Sequence, residues 1–193
     1  MVPKLTQAVL ASGSLNQNPQ PVLATAELTL RPWEPSDAAD VVAAYAGPDI
    51  QRWHGQTMTP DEAANWVRAW PRRWSEESAA GWAVTDGDQL LGRMSLNGLS
   101  LASGLAHVAY WVLPVARGRG VASHALQEIT RWAFDDLGLH RLELEHSTRN
   151  EASCRVAARG GYDLEGTMRQ QGLHLDGWHD MHLHAALAMI GRP

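Results

Sequence analysis

The chain of 193 residues holds one cysteine, Cys154. A lone thiol cannot close an internal disulfide, and this usage fits a reducing cytoplasm. Long apolar runs are absent as well: none approaches the ~18 residues of a membrane span. Ala8–Ala11 is too short for a signal-peptide core, and Lys4 alone is a thin basic flank. Positive charge is in deficit, with 16 Lys and Arg against 21 Asp and Glu, a formal net charge of −5. That balance excludes a general nucleic-acid binder, which needs a basic face. Phenylalanine occurs once, against nine tryptophans. Trp66, Trp70 and Trp74 recur every four residues, the spacing of one buried helix stripe.

Against this background, His107–Leu137 concentrates glycine and arginine. An apolar run, Val108–Leu113, is stopped by Pro114, which belongs at a strand's end because it has no N–H for a ladder. Arg117-Gly118-Arg119-Gly120-Val121-Ala122 follows, then a helical pattern with Val121, Ala125, Ile129 and Leu137 on one face. A strand, a glycine loop and a helix start together make an anion site. The first helical N–H groups have no intrahelical partner, and the macrodipole adds positive charge there. The expected ligand is a phosphate or pyrophosphate. Three readings fit the loop. It can be a plain turn before a helix. It can be a dinucleotide fingerprint one residue short, with Glu143 or Glu145 as the ribose acid, although few residues remain for that fold. Or it can be the pattern Arg-x-x-Gly-x-Ala, carried by Arg117, Gly120 and Ala122.

The rest of the chain predicts a strand at Leu28–Trp33, a helix from Ser36 or Asp37 to Tyr45, and a loop with Trp53-His54-Gly55. A second helix starts at Thr59-Pro60 and is kinked or interrupted at Pro71. A hairpin turns at Asp86-Gly87-Asp88-Gln89. Gly138 caps the central helix, Arg141–His146 alternates as a strand, and Asn150–Arg159 is a short helix. Tyr162–Arg169 and Met181–Leu187 close the sheet. The order is β-α-α-β-β-β-α-β-α-β-β, an α+β fold with one mixed sheet from residue 27 to 193. Residues 1–26, rich in Gln, Asn, Pro and Ser, read as a flexible or arm-like extension.

The third reading of the loop resembles the GNAT superfamily of acetyl-CoA-dependent N-acetyltransferases. Several other stretches are similar to its RimJ/RimL branch: Leu30-Arg31-Pro32-Trp33, Tyr110-Trp111-Val112-Leu113-Pro114, Asn150-Glu151-Ala152-Ser153, Gly161–Arg169 and Trp178-His179-Asp180. The resemblance runs from about Glu27 to the end and implies the GNAT fold. It implies that Trp111, Val112 and Leu113 hold the pantetheine arm through their backbone. It further implies that Arg117, Gly118, Arg119, Gly120, Val121 and Ala122 cradle the pyrophosphate, and that Asn150 bonds the cofactor arm. The family's usual tyrosine, seven residues after this asparagine, is replaced by Ala157. Ser153 is the candidate substitute acid for the departing thiolate, the alternative being an ordinary first-turn helix serine. Gly172 stands where some members carry a glutamate base, so His146 and His107 are the candidate bases. Trp53 falls in the region that roofs the substrate pocket.

The resemblance implies acetyl transfer to a primary amine, either a protein N-terminus or an aminoacyl-type amine. The alternatives are a small-molecule amine acetyltransferase and a non-catalytic acyl-CoA-binding regulator. Chemistry favours an α-amine: its pKa of about 7.7–8.0 leaves roughly one in ten neutral at pH 7. A lysine at about 10.4 costs some 3.5 kcal/mol more to deprotonate. No metal is expected. His179, Asp180, His182 and His184 cluster, but no zinc spacing is completed. The expected partners are the amine substrate and acetyl-CoA, with no nucleic acid or membrane; a homodimer stays open.

Overall fold

The computed structural model describes residues 6–189. In chain order the elements are β1 (Leu23–Ala24), β2 (Thr29–Pro32), α1 (Ala38–Ala46), α2 (Pro48–His54), α3 (Pro60–Ser75), β3 (Ala80–Asp86), β4 (Gln89–Ser100), β5 (Leu105–Val112), α4 (Val121–Arg131), β6 (Arg141–Ser147), α5 (Glu151–Arg159), β7 (Asp163–His174) and β8 (Gly177–Leu187). One eight-stranded sheet runs β1-β2-β3-β4-β5-β6-β8-β7. Every neighbouring pair is antiparallel except β5 with β6. Parallel neighbours need a crossover, and α4 supplies it.

That crossover creates the opening the molecule depends on. β5 and β6 pair only from Leu105 and Arg141 to Val108 and Leu144. β5 runs on to Val112 and β6 to Ser147 without further mutual pairing. A gap is left in the middle of the sheet, with α4 and α5 starting beside it.

Both faces of the central strands are buried: β3 is apolar from Ala80 to Val84, and β4 buries Arg93 and Ser95 among its apolar residues. On one face Leu126 and Ile129 of α4 pack on Leu91, Met94, Leu96 and Leu142. On the other, Val41 and Tyr45 of α1 and Val67 and Trp70 of α3 pack on Trp33 and Trp111. The tryptophans divide between these layers. Trp66 meets Trp33 edge-on at 4.9 Å and Trp70 at 5.3 Å. Trp74 turns to the opposite face, where Trp132 and Trp82 meet at 5.3 Å.

Three local expectations are corrected. Trp53 and His54 end a helix, α2, and do not lie in a loop, because Gly47-Pro48 opens this helix as well as ending α1. Proline fits the first helical turn, so the same pair reads as a stop or a start. Pro71 lies inside a continuous α3, whose buried Trp70 and Trp74 hold the turn around it. β7 and β8 are longer than the alternation suggested, meeting at a hairpin between His174 and Gly177.

Residues 6–26 lie along the domain as an arm. The Glu77 carboxylate accepts from the backbone N–H groups of Gly13 at 2.7 Å and Leu15 at 2.8 Å. The indoles of Trp74 and Trp82 donate to the carbonyls of Asn18 and Pro21 at 3.0 and 2.9 Å. Leu15 and Leu23 are buried in the core, and Leu23–Ala24 adds an edge strand to β2.

Candidate active site

The glycine loop sits at one mouth of the gap. Gly118 and Gly120 have φ of 75° and 80°, a region that side-chain-bearing residues avoid. Gly120 is the N-cap of α4, and His124 N–H to Gly120 O, at 3.0 Å, is the helix's first bond. The N–H groups of Val121, Ala122 and Ser123 therefore have no intrahelical partner. All three residues line a cavity of about 440 Å³, with Gly118, Gly120, Arg117, Trp111 and Val112. A Cβ on Gly118 would meet no atom within 4 Å, so the cradle has room for a ligand. Across the cavity, α5 contributes Arg155 and Arg159. Cations and helix-start amides together fit a pyrophosphate.

The two loop arginines differ. Arg117 lines the cavity while its guanidinium pairs with Asp49 of α2 at 2.7 Å. Arg119 turns to Asp86 in the β3–β4 hairpin, 3.2 Å away. Trp111 presents its backbone, since its indole is buried beside Trp33 and Tyr45. Leu113 packs against the second core layer, and its N–H is taken by Leu91 O at 2.8 Å.

A second cavity of about 110 Å³ continues from the first through the gap. Trp53, His54, Tyr110, Asn150 and Ser153 line both. Asn150 caps α5, its Oδ1 accepting from Ser153 N–H at 3.1 Å. The Tyr110 hydroxyl donates to Ser153 Oγ at 3.0 Å. Burial pushes the Tyr110 phenol up to about 12, against the lowering effect of Ser153, so it stays protonated at neutral pH. His146 lines the smaller cavity, and its Nδ1–H donates to Ser147 O at 2.8 Å. His54 is lowered to about 4, first by burial and then by the charge of Arg93, so its ring is neutral at pH 7. The site is thus a two-chambered cleft, with an anion cradle in one chamber, His146 and Glu145 in the other, and the neutral His54 ring lining both.

Comparison with known proteins identifies this architecture. The family described as "Acetyltransferase (GNAT) domain" matches residues 27–163. The chain belongs to the GNAT acetyltransferase family. This acetyltransferase is 26% identical over 154 residues to the uncharacterised N-acetyltransferase YoaA of Bacillus subtilis (strain 168), covering 78% of this chain and 87% of that one. It is 30% identical over 100 residues to the ribosomal-protein-serine acetyltransferase of Escherichia coli (strain K12), covering 52% and 56%. Its fold matches the crystal structure of a ribosomal-protein-S5-alanine acetyltransferase from Vibrio fischeri, with a TM-score of 0.81 and 20% identity. That match covers 90% of this chain and 100% of the other. The protein is therefore an acyltransferase of the acetyl-transferring kind.

Within the acetyltransferase, the residues singled out in the sequence separate into two groups. Trp53, Trp111, Val112, Arg117, Gly118, Gly120, Val121, Ala122, Asn150, Ser153 and His146 line one or both cavities. His107 does not: it sits three residues earlier on β5 than Tyr110, half-exposed, with Nδ1 3.3 Å from Glu143. Arg119 and Leu113 make the contacts given above, leaving only their backbones near the cradle. Two lining residues carry roles that sequence reasoning did not assign. Tyr110 lies within the Tyr110–Pro114 stretch, but its bond to Ser153 joins residues 43 positions apart. His54 was hidden by the loop assignment of α2.

Proposed function

We propose that the protein acetylates the α-amino group of a protein or peptide N-terminus, in the cytoplasm. The observation that carries this reading is the narrow second chamber, which meets the cofactor chamber at Tyr110 and Ser153 and is flanked by uncharged imidazoles. An α-amine is already partly neutral at pH 7, so its attack needs desolvation and positioning more than a strong base. A chamber that offers only the Glu145 carboxylate and weakly basic imidazoles suits that acceptor better than a lysine. The similarity to a ribosomal-protein-serine acetyltransferase supports it further.

In this reading acetyl-CoA supplies an activated thioester. The N–H groups of Val121, Ala122 and Ser123, with Arg155 and Arg159, hold its phosphates. The backbone end of β5 at Trp111 and Val112 lies along its arm and offers N–H to the thioester oxygen, where negative charge grows during attack. Trp53 roofs the acceptor, and its indole gives a flat apolar wall. As the amine nitrogen bonds to the acetyl carbon and the carbon–sulfur bond breaks, Ser153 donates its proton toward the leaving sulfur. Tyr110, hydrogen-bonded to Ser153 Oγ, replenishes it and is itself reprotonated from water, which takes up the proton lost by the amine.

The test is a panel of peptides with varied first residues, the same peptides with blocked N-termini, and small amines, followed by free-CoA release and mass spectrometry. Acetyl on the α-amine of unblocked peptides is the expected product. Turnover of small amines alone would replace this reading with the small-molecule one, and no release with any amine would favour a non-catalytic acyl-CoA binder.

A further inference from the structure

Beside the second chamber, β6 and β8 place three histidines on one face of the sheet. His146 stands opposite His182 in register, and His184 lies two residues further along, opposite Leu144. Their rings are close: His146 to His184 is 5.1 Å, His146 to His182 is 5.4 Å, and His182 to His184 is 5.8 Å. Cys154, on the α5 helix, joins them. One ring nitrogen from each histidine and the Cys154 sulfur all lie within 4.8 Å of one another.

The hydrogen bonding inside this cluster points to a ligand. His146 Nδ1 faces the Ser147 carbonyl at 2.8 Å, and His184 Nδ1 faces the Tyr162 carbonyl at 3.2 Å. A carbonyl only accepts, so both Nδ1 atoms carry the proton and both Nε2 atoms hold a lone pair. His146 and His184 are 6% and 3% exposed. Their Nε2 atoms, and His182 Nδ1, are buried with no hydrogen-bond partner among the described residues. Buried nitrogen lone pairs left unpaired in one place are costly in an ordinary core. His146 and His184 have what a metal site requires, a ring fixed through one nitrogen by a carbonyl with the other nitrogen free, and His182 adds a third unpartnered nitrogen.

We propose that His146, His182, His184 and Cys154 form a binding site for a borderline-soft divalent metal, Zn²⁺ in the first place. Three imidazoles and a thiolate without carboxylates select against Mg²⁺ and Ca²⁺ and suit tetrahedral zinc. Zn–N and Zn–S bonds of about 2.0–2.3 Å need ligand atoms nearer together than 4.8 Å, a closure of about 1 Å. Torsions of the half-buried His182 and Cys154 can supply it. The four protein ligands leave no open position, so the metal is structural. It would tie the first turn of α5, which carries Asn150 and Ser153, to strands β6 and β8, and would engage the His146 lone pair beside the acceptor chamber. The proposal does not depend on the acceptor being an α-amine.

The sequence could not show this site. His182 and His184 fit an incomplete pattern with His179 and Asp180, but those two belong elsewhere. His179 bonds Ser147 Oγ at 2.8 Å and Asp176 at 2.7 Å, and Asp180 accepts from Gln170 N–H. The completing ligands come from another strand and a helix.

The test uses tag-free full-length protein, reduced and stripped with chelator, then titrated with Co²⁺ and afterwards Zn²⁺. Expected are one equivalent bound, intense tetrahedral visible bands with a thiolate-to-cobalt charge-transfer band, displacement of both by Zn²⁺, and release of the thiol proton. Cys154→Ser should abolish the charge-transfer band. His182→Ala, at a half-buried position, should weaken Zn²⁺ binding by roughly 100-fold or more. Zn²⁺ should raise the melting temperature of the wild type and not of a variant carrying both Cys154→Ser and His182→Ala. No cobalt spectrum, a charge-transfer band that survives Cys154→Ser, or unchanged affinity in His182→Ala would each overturn the site.

Discussion

The Tyr110 hydroxyl donates to Ser153 Oγ at 3.0 Å, joining β5 to the first turn of α5 across the gap in the sheet. The direction of that bond matters. Ser153 Oγ receives a proton donor from behind, which leaves its own O–H to point elsewhere, and Ser153 lines both chambers. The family's usual tyrosine position holds Ala157, which is fully buried in the core. A phenol is present all the same, delivered from a different element through a serine.

If Ser153 protonates the leaving thiolate, Ser153→Ala lowers kcat and leaves the acetyl-CoA dissociation constant nearly unchanged. General-acid help is typically worth about 10²–10⁴-fold, and a thiolate leaves well, so the lower end is expected. Tyr110→Phe should give a smaller loss in kcat and about 1 kcal/mol in stability, because a buried hydrogen bond disappears. Steady-state kinetics, calorimetry and melting on both variants separate the roles. Affinity falling with saturated turnover intact would make Ser153 a cofactor-positioning residue.

Gly120 is the second point of leverage. Its φ of 80° disfavours any side chain, and an added Cβ would come within 3.2 Å of the His124 ring. Gly120→Asp also places a negative charge at the helix-start amides proposed to receive the pyrophosphate. Acetyl-CoA affinity should drop at least about 10-fold, equivalent to about 1.4 kcal/mol. The backbone strain should cost a further 1–2 kcal/mol or so of stability. Calorimetry on a variant whose circular dichroism remains native checks the first effect, and unchanged affinity would remove the loop from the cofactor site.

Glu77 holds the arm. Its φ is positive, at 54°, a region few side-chain-bearing residues adopt, and its carboxylate gathers the Gly13 and Leu15 amides. Glu77→Gln keeps one acceptor oxygen and loses the charge, while Glu77→Ala loses both. The expected costs are about 0.5–1 and 1–2 kcal/mol respectively. Hydrogen exchange at residues 13–16 should speed up in the same order. Equal protection in all three proteins would mean that Leu15 and Leu23 alone hold the arm down.

The sequence made legible what is local. Gly118 and Gly120 sit within one short motif, so a strand, a turn and a helix start could be read from adjacent residues, and the anion cradle followed. The alternation of Arg141–His146 likewise gave a strand directly. What escaped was made by contacts between distant segments. Tyr110 meets Ser153 only because the sheet opens beyond Val108 and Leu144, and that gap is a property of topology. Arg119 looked like a phosphate ligand until the β3–β4 hairpin brought Asp86 to it. His54 was lost because Gly47-Pro48 serves both as a helix stop and a helix start.

His54 makes stability depend on pH. Burial, then the charge of Arg93, lowers its pKa from 6.5 to about 4, while a hydrogen bond with the Tyr110 backbone opposes the shift and His174 adds a small lowering. Between pH 4 and 6.5 the unfolded chain takes up a proton at this position that the folded chain refuses. The unfolded state then binds more protons, so stability rises with pH across that window. The contribution is fully present above pH 6.5 and is lost as pH falls toward 4. It is worth at most about 3 kcal/mol, and less in so far as water still reaches the ring. His54→Gln removes the titrating group while keeping a polar side chain, so its stability should decline less steeply over the same range. Urea unfolding of both proteins at pH 4.5, 5.5 and 7 gives the difference directly, because every other acidic or imidazole group is common to the two. A difference that stays flat from pH 7 to 4.5 would mean that His54 is solvated in the fold, and the acceptor chamber would then be wetter and more polar than a site relying on desolvation of the amine can be.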